Sequence, residues 1–141
     1  MDFQFKDKYD INDLLEVTRI LRSENGCVWD REQDHKSIRM NVLEEAYEVM
    51  EAIDADDDAM LKEELGDLLF QAVFHCQIED ERGRFCFDDI CDDVAKKMIY
   101  RHPHVFGDVK VSNSDAVLKN WDKLKKKSKN QETVADTLDS V

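Results

Sequence analysis

The sequence predicts an all-α fold, a compact helical bundle of about four to five helices, on three observations. Only four glycines and one proline occur in 141 residues, too few turn formers for a sandwich or a barrel. Apolar residues recur at three- and four-residue steps over long stretches, the period of a helix with one buried face. With 42% of residues apolar and 38% charged, the chain can bury a core and lies outside the composition of disordered segments.

The first predicted helix runs from Asp10 to Glu24, with Ile11, Leu14, Leu15, Val17, Ile20 and Leu21 on its stripe, Asp10 as N-cap and Gly26 beyond its end. A turn at Cys27-Val-Trp-Asp30, in which Trp29 reads as a core anchor, leads to a polar stretch ending at Ser37. Ser37 can cap a second helix reaching Ile53. After the acidic connector Asp54 to Asp58, Leu61, Leu65, Leu68, Leu69, Ala72 and Cys76 mark a third helix to about Ile78, closed by Gly83. Asp88 or Asp89 starts a fourth, which Pro103 stops near Arg101. A fifth spans Ser114 to Lys127, carrying Val117, Trp121 and Leu124. Residues 1–129 read as a single domain, and 130–141 as a polar, mobile tail.

The formal charge of -13 argues against a nucleic-acid polymer or an anionic membrane as partner, because phosphate surfaces demand a basic one. No apolar run approaches the roughly 18 residues of a membrane span, and the N-terminus lacks a signal-peptide pattern. Four cysteines without a C-x-x-C spacing fit thiols in a reducing compartment, so a cytoplasmic protein is expected. A zinc site from Cys86, Cys91, His102 and His104 has poor spacing for that metal. His102 and His104, flanking Pro103 at a helix end, read as structural donors that cap carbonyls. Six lysines between Lys119 and Lys129 place a basic pole opposite the acidic second and third helices.

Those two helices carry the chemistry. Glu44-Glu45-Ala-Tyr-Glu48 and Glu64-Leu-Gly-Asp67 each put carboxylates three positions apart on one helical face. At about 100° per residue, Glu45 borders an apolar stripe of Val42, Leu43, Ala46, Val49, Met50 and Ile53, and Glu64 borders the stripe of the third helix, with Glu48 and Asp67 about 60° to the other side. If the helices pack antiparallel, Glu45, Glu48, Glu64 and Asp67 converge at the edge of the core. Four such carboxylates repel one another, and a hard divalent cation, Mg2+ or Mn2+, relieves that repulsion with oxygen ligands alone. Glu44 lies further toward solvent, where it could orient a water. An EF-hand from Asp54 fails, with Ala59 and Leu65 where Gly and Glu are needed. A di-iron bundle fails because only Glu32-Gln-Asp-His35 matches its E-x-x-H requirement. The carboxylate pattern alone is also compatible with a solvated acidic face.

The order E-E-x-x-E, spacer, E-x-x-D resembles the all-α nucleoside triphosphate pyrophosphohydrolases of the MazG type. So do Cys27-Val-Trp-Asp30, Gln33-Asp-His-Lys-Ser37, Leu43-Glu-Glu-Ala-Tyr-Glu-Val49, Glu63-Glu-Leu-Gly-Asp-Leu-Leu69 and Arg101-His-Pro-His-Val-Phe-Gly-Asp108. The resemblance covers residues 10 to 127 and departs at Val28, where the family usually has Pro. It implies Mg2+-dependent hydrolysis of NTPs and dNTPs to monophosphate and pyrophosphate, a homodimer or larger assembly, and a house-cleaning role for the nucleotide pool. It makes Glu45, Glu48, Glu64 and Asp67 metal ligands, and Lys97, Arg101, Trp121 and Lys125 nucleotide-handling residues. Glu48 or Glu44 is the candidate general base. The alternative is an acidic helical module that binds nucleotide or a basic protein without catalysis.

Overall fold

In the computed structural model, which describes the backbone of residues 3–139 and the side chains of 3–129, there are seven helices and no strand among the described residues. They are α1 (Ile11–Leu21), α2 (Val28–Glu32), α3 (His35–Asp54), α4 (Asp58–Glu81), α5 (Phe87–Arg101), α6 (Pro103–Phe106) and α7 (Ser114–Asp139). The all-α expectation holds. Two short helices, α2 and α6, lie where the apolar spacing marks none, each too brief to show a period. Helical backbone in α7 continues to Asp139, past Lys127; the side chains of the expected tail at 130–141 lie outside the described residues. Among the described residues, no helix is long and apolar enough to cross a membrane.

Helix boundaries follow from local chemistry. Asp10 caps α1 by accepting from the Asp13 backbone N–H, while Asp13 accepts in return from the Asp10 backbone. α3 starts earlier than Ser37 because Asp34 is the cap: its carboxylate takes the Ser37 backbone N–H at 2.8 Å, and the Ser37 hydroxyl accepts from Asp34 N at 2.9 Å. This reciprocal arrangement satisfies donors that a helix start leaves open. The α3–α4 connector turns through Asp56 at φ 52°, a left-handed backbone that Asp tolerates better than most residues, and Asp57 then caps α4 through Met60 N. Gly83, at φ 71°, closes α4.

Two compact units emerge, residues 1–87 and 88–141. In the first, α3 and α4 form an αα-hairpin, and α1 lies against α4. Ile38 on α3 packs with Phe74 and Ile78 on α4, with Phe70 beside them. Val73 is 1% exposed and Ala52 1%. The Arg22 guanidinium sits 5.2 Å from the Phe74 ring centre and donates to Glu81 and to the carbonyls of Asp30 and Gln33, fastening α2 and the start of α3 to this end. Gly26 permits the tight turn after α1, since a Cβ there would lie 2.0 Å from the Ile20 carbonyl oxygen.

The apolar stripe that the sequence assigns to the hairpin core is only partly covered. Leu43 is 48% exposed, Met50 56%, Ile53 54% and Leu65 49%. Trp29, expected as a core anchor, is exposed as well. The physical reason is that the seam between α3 and α4 is taken up at mid-length by carboxylates rather than by that stripe. In the second unit, α5 is exposed along residues 91–100, and α7 turns Val117, Asn120, Trp121 and Leu124 inward.

Candidate metal centre

Antiparallel pairing of α3 and α4 brings residues of equal height together, so the middle of one helix meets the first half of the other. Glu45 and Glu48 on α3 and Glu64 and Asp67 on α4 each offer a carboxylate oxygen, all four oxygens lying within 4.8 Å of one another. Glu45, Glu48 and Glu64 are half-buried and Asp67 is exposed, so the group is sunk at three corners and open at the fourth. Glu44 is exposed and stands outside the group.

The electrostatics are those of a site short of positive charge. Glu64 is pushed up to about 7, first by its hydrogen bond to Glu48, then by burial and by the charges of Glu48, Asp67 and Glu45. Glu45 is also raised, chiefly by burial and then by Glu48 and Asp67. Oε2 of Glu45 and Oε2 of Glu64 are shielded from solvent with no hydrogen-bond partner in the chain. Unsatisfied buried acceptors are costly, and a cation satisfies several at once. The donor set of carboxylate oxygens alone fits a hard divalent ion.

In the second unit, the Arg101 guanidinium carbon stands 5.6 Å from the centre of the Trp121 ring and Lys125 Nζ 5.1 Å from it. Trp121 thus collects two of the three predicted cations. Arg101 is buried, with Nε lacking a partner. Lys97 is exposed and lines a cavity of about 340 Å³ with Asp93, Lys96, Tyr100 and Ser128. His102 Nδ1 donates to the Met98 carbonyl at 2.6 Å, which ends α5.

Residues 33–106 match the MazG nucleotide pyrophosphohydrolase domain. The chain belongs to the MazG family. It is 46% identical over 132 residues to the nucleoside triphosphate pyrophosphohydrolase of Escherichia coli (strain K12), covering 93% of this chain and 50% of that protein. It is also 46% identical over 117 residues to the nucleoside triphosphate pyrophosphohydrolase/pyrophosphatase MazG of Thermotoga maritima, covering 83% of this chain and 44% of the relative. The chain therefore spans about half the length of these two relatives. Its fold is similar to the crystal structure of a mazG-related protein from Thermotoga maritima, with TM-score 0.65, 29% identity, and coverage of 82% of this chain and 99% of that one. The MazG match contains all four clustered carboxylates, Lys97 and Arg101, and stops before Trp121 and Lys125.

Sequence reading missed a second polar group at the other end of the MazG hairpin. His35 Nδ1 and His75 Nδ1 are 2.7 Å apart with their rings stacked, and His35 Nε2 lies 2.6 Å from Oε1 of Glu79. Glu79, 5% exposed, also accepts from Arg82. The signal was present: Asp67, Gln71, His75 and Glu79 recur every four residues and so form a polar ridge along α4 through the apolar stretch between Leu68 and Ile78.

Proposed function

We propose that this protein hydrolyses nucleoside triphosphates, ribo- or deoxyribo-, to the monophosphate and pyrophosphate, with Mg2+ held by Glu45, Glu48, Glu64 and Asp67 and Mn2+ as a substitute. The observation that carries this reading is the convergence of four carboxylate oxygens within 4.8 Å. Support comes from the Escherichia coli and Thermotoga maritima relatives, which are named for nucleoside triphosphate pyrophosphohydrolase activity. Bound Mg2+ supplies charge neutralisation of the polyphosphate and a more acidic water.

The chain's own residues do the rest. Glu48, or Glu44 beside it, accepts a proton from the attacking water. Glu64, pushed up to about 7, and Glu45, raised chiefly by burial, would both be favoured as carboxylates by a bound cation. Arg101 offers phosphate oxygens a planar fork and Lys97 and Lys125 offer point charges. Trp121, with Arg101 and Lys125 already at its ring, keeps these cations in place and presents a face on which a base can stack.

We assign these roles to one domain over residues 1–129. The exposed apolar side chains of Leu43, Tyr47, Met50 and Leu65 favour a homodimer or larger assembly, which sedimentation checks. The cytoplasm, where nucleoside triphosphates are made and used, is the compartment this activity implies, and house-cleaning of the nucleotide pool is the role it suits.

The test is a product assay with each common NTP and dNTP, with and without Mg2+. Pyrophosphate and monophosphate appearing only with Mg2+ is the expected result. Phosphate and nucleoside diphosphate would overturn the assigned bond cleavage, and no turnover by folded protein would overturn catalysis and favour a binding module.

A further inference from the structure

Beyond the carboxylates, α4 carries an amide oxygen without a partner on the same helical face. Oε1 of Gln71 is shielded from solvent and makes no hydrogen bond within the chain, the same condition as Oε2 of Glu45 and Oε2 of Glu64. Gln71 follows Glu64 by seven positions and Asp67 by four. At about 100° per residue it projects between those two carboxylates, one turn further along α4. Helical side chains lean toward the N-terminus, so from this height Gln71 leans back toward Asp67.

Its other neighbours do not account for it. One turn beyond, His75 is engaged through Nδ1 with His35, which is held in turn by Glu79. His75 Nε2 is itself buried without a partner, so no hydrogen bond joins it to Gln71. At the same height, Ile38, Phe74 and Ile78 form an apolar cluster. A neutral amide oxygen is a weaker ligand of a hard cation than a carboxylate, and one turn further along the helix it is well suited to accept from a water that the cation carries. Such outer partners orient the inner ligands and tune affinity.

We propose that Gln71 is a positioning residue of the cation site, its Oε1 accepting a hydrogen bond from a water of the bound divalent ion. This rests on the cation reading of Glu45, Glu48, Glu64 and Asp67 given above. Gln71 sets how firmly the hydrated ion sits without touching the nucleotide.

The experiment is calorimetric titration of the full chain with Mn2+ in the absence of nucleotide, for wild type, Glu64→Gln, Gln71→Met and Gln71→Glu. Thermal melts without cation establish that each is folded. Gln71→Met keeps the length and loses the acceptor, so Mn2+ binding is expected to weaken about tenfold. Gln71→Glu restores an acceptor and is expected to bind at least as tightly as wild type. If Gln71→Met misfolds, Gln71→Leu takes its place in the comparison. Gln71→Met binding Mn2+ like wild type overturns the proposal, and so does Gln71→Glu binding as weakly as Gln71→Met, since the side chain would then serve packing alone. Wild type binding no Mn2+, or Glu64→Gln binding it unchanged, overturns the cation site itself. The two failures are therefore distinct.

Discussion

Oε1 of Glu79 lies 2.6 Å from Nε2 of His35, a contact that fastens the start of α3 to the last turns of α4. The hydrogen bond from His35, and after it Arg82 and the Arg84 charge, hold the Glu79 carboxyl below the usual carboxylate value of 4.5. His75 is held below its usual 6.5, first by burial and then by His35. Both groups bind fewer protons folded than unfolded, so their stabilisation is complete above the unfolded values and is lost as pH falls through the folded ones. Glu79→Gln is expected to melt several degrees below wild type near neutral pH. The gap should close as pH drops below about 4.5, where the unfolded carboxylate protonates. A gap that stays constant across that range in thermal melts would show that the Glu79 charge contributes nothing.

The carboxylate cluster has the opposite sign. Glu64, raised to about 7 from 4.5, keeps a proton in the folded state that the unfolded chain releases. The bare protein therefore loses stability as pH rises through that window. Cation binding displaces the proton, so affinity for Mg2+ or Mn2+ should climb with pH across the same interval. The rise in melting temperature caused by saturating Mn2+ is expected to be larger at about pH 8 than at about pH 5.5. Equal shifts at both would remove Glu64 from the site.

Replacing Glu48 by Gln removes one ligand and one candidate base while preserving shape. Turnover of a nucleoside triphosphate is expected to fall by about a hundredfold or more, with far-UV dichroism unchanged. Activity within a few fold of wild type would take Glu48 out of the chemistry and leave Glu44 as the candidate base.

Phe74 is 3% exposed, stands edge-on to Phe70 at 5.8 Å, and carries the Arg22 guanidinium over its face. Phe74→Ala should cost about 3–5 kcal/mol in urea unfolding, whereas Ile38→Val should cost about 1 kcal/mol. Similar small losses for both would mean that this end of the hairpin is loosely packed.

Much of the fold is legible along the chain because its signals are local. Asp10 announces α1, and Leu61 to Cys76 repeat at the helical period. The start of α3 is misplaced by a reading that takes Ser37 as the cap, since Asp34 and Ser37 satisfy each other reciprocally and either looks like a cap in isolation. The periods also misassign Leu43, Met50 and Ile53 to a buried core. Periodicity says which residues share a face, and only packing says whether anything covers it.

The sequence by itself determined that this is an all-α MazG chain and that its acidic residues fall at three-residue spacing on two helices, beside an apolar stripe on each. Those are properties of neighbours in the chain, set by helical geometry and side-chain chemistry. Tertiary structure alone decided that Glu45, Glu48, Glu64 and Asp67 meet within 4.8 Å, that Gln71 lacks a partner beside them, and that His35 reaches His75 and Glu79. Each depends on the height at which α3 slides past α4. That register is fixed by the packing of Ile38 against Phe74 and Ile78, a contact between residues far apart in the chain that no local pattern encodes.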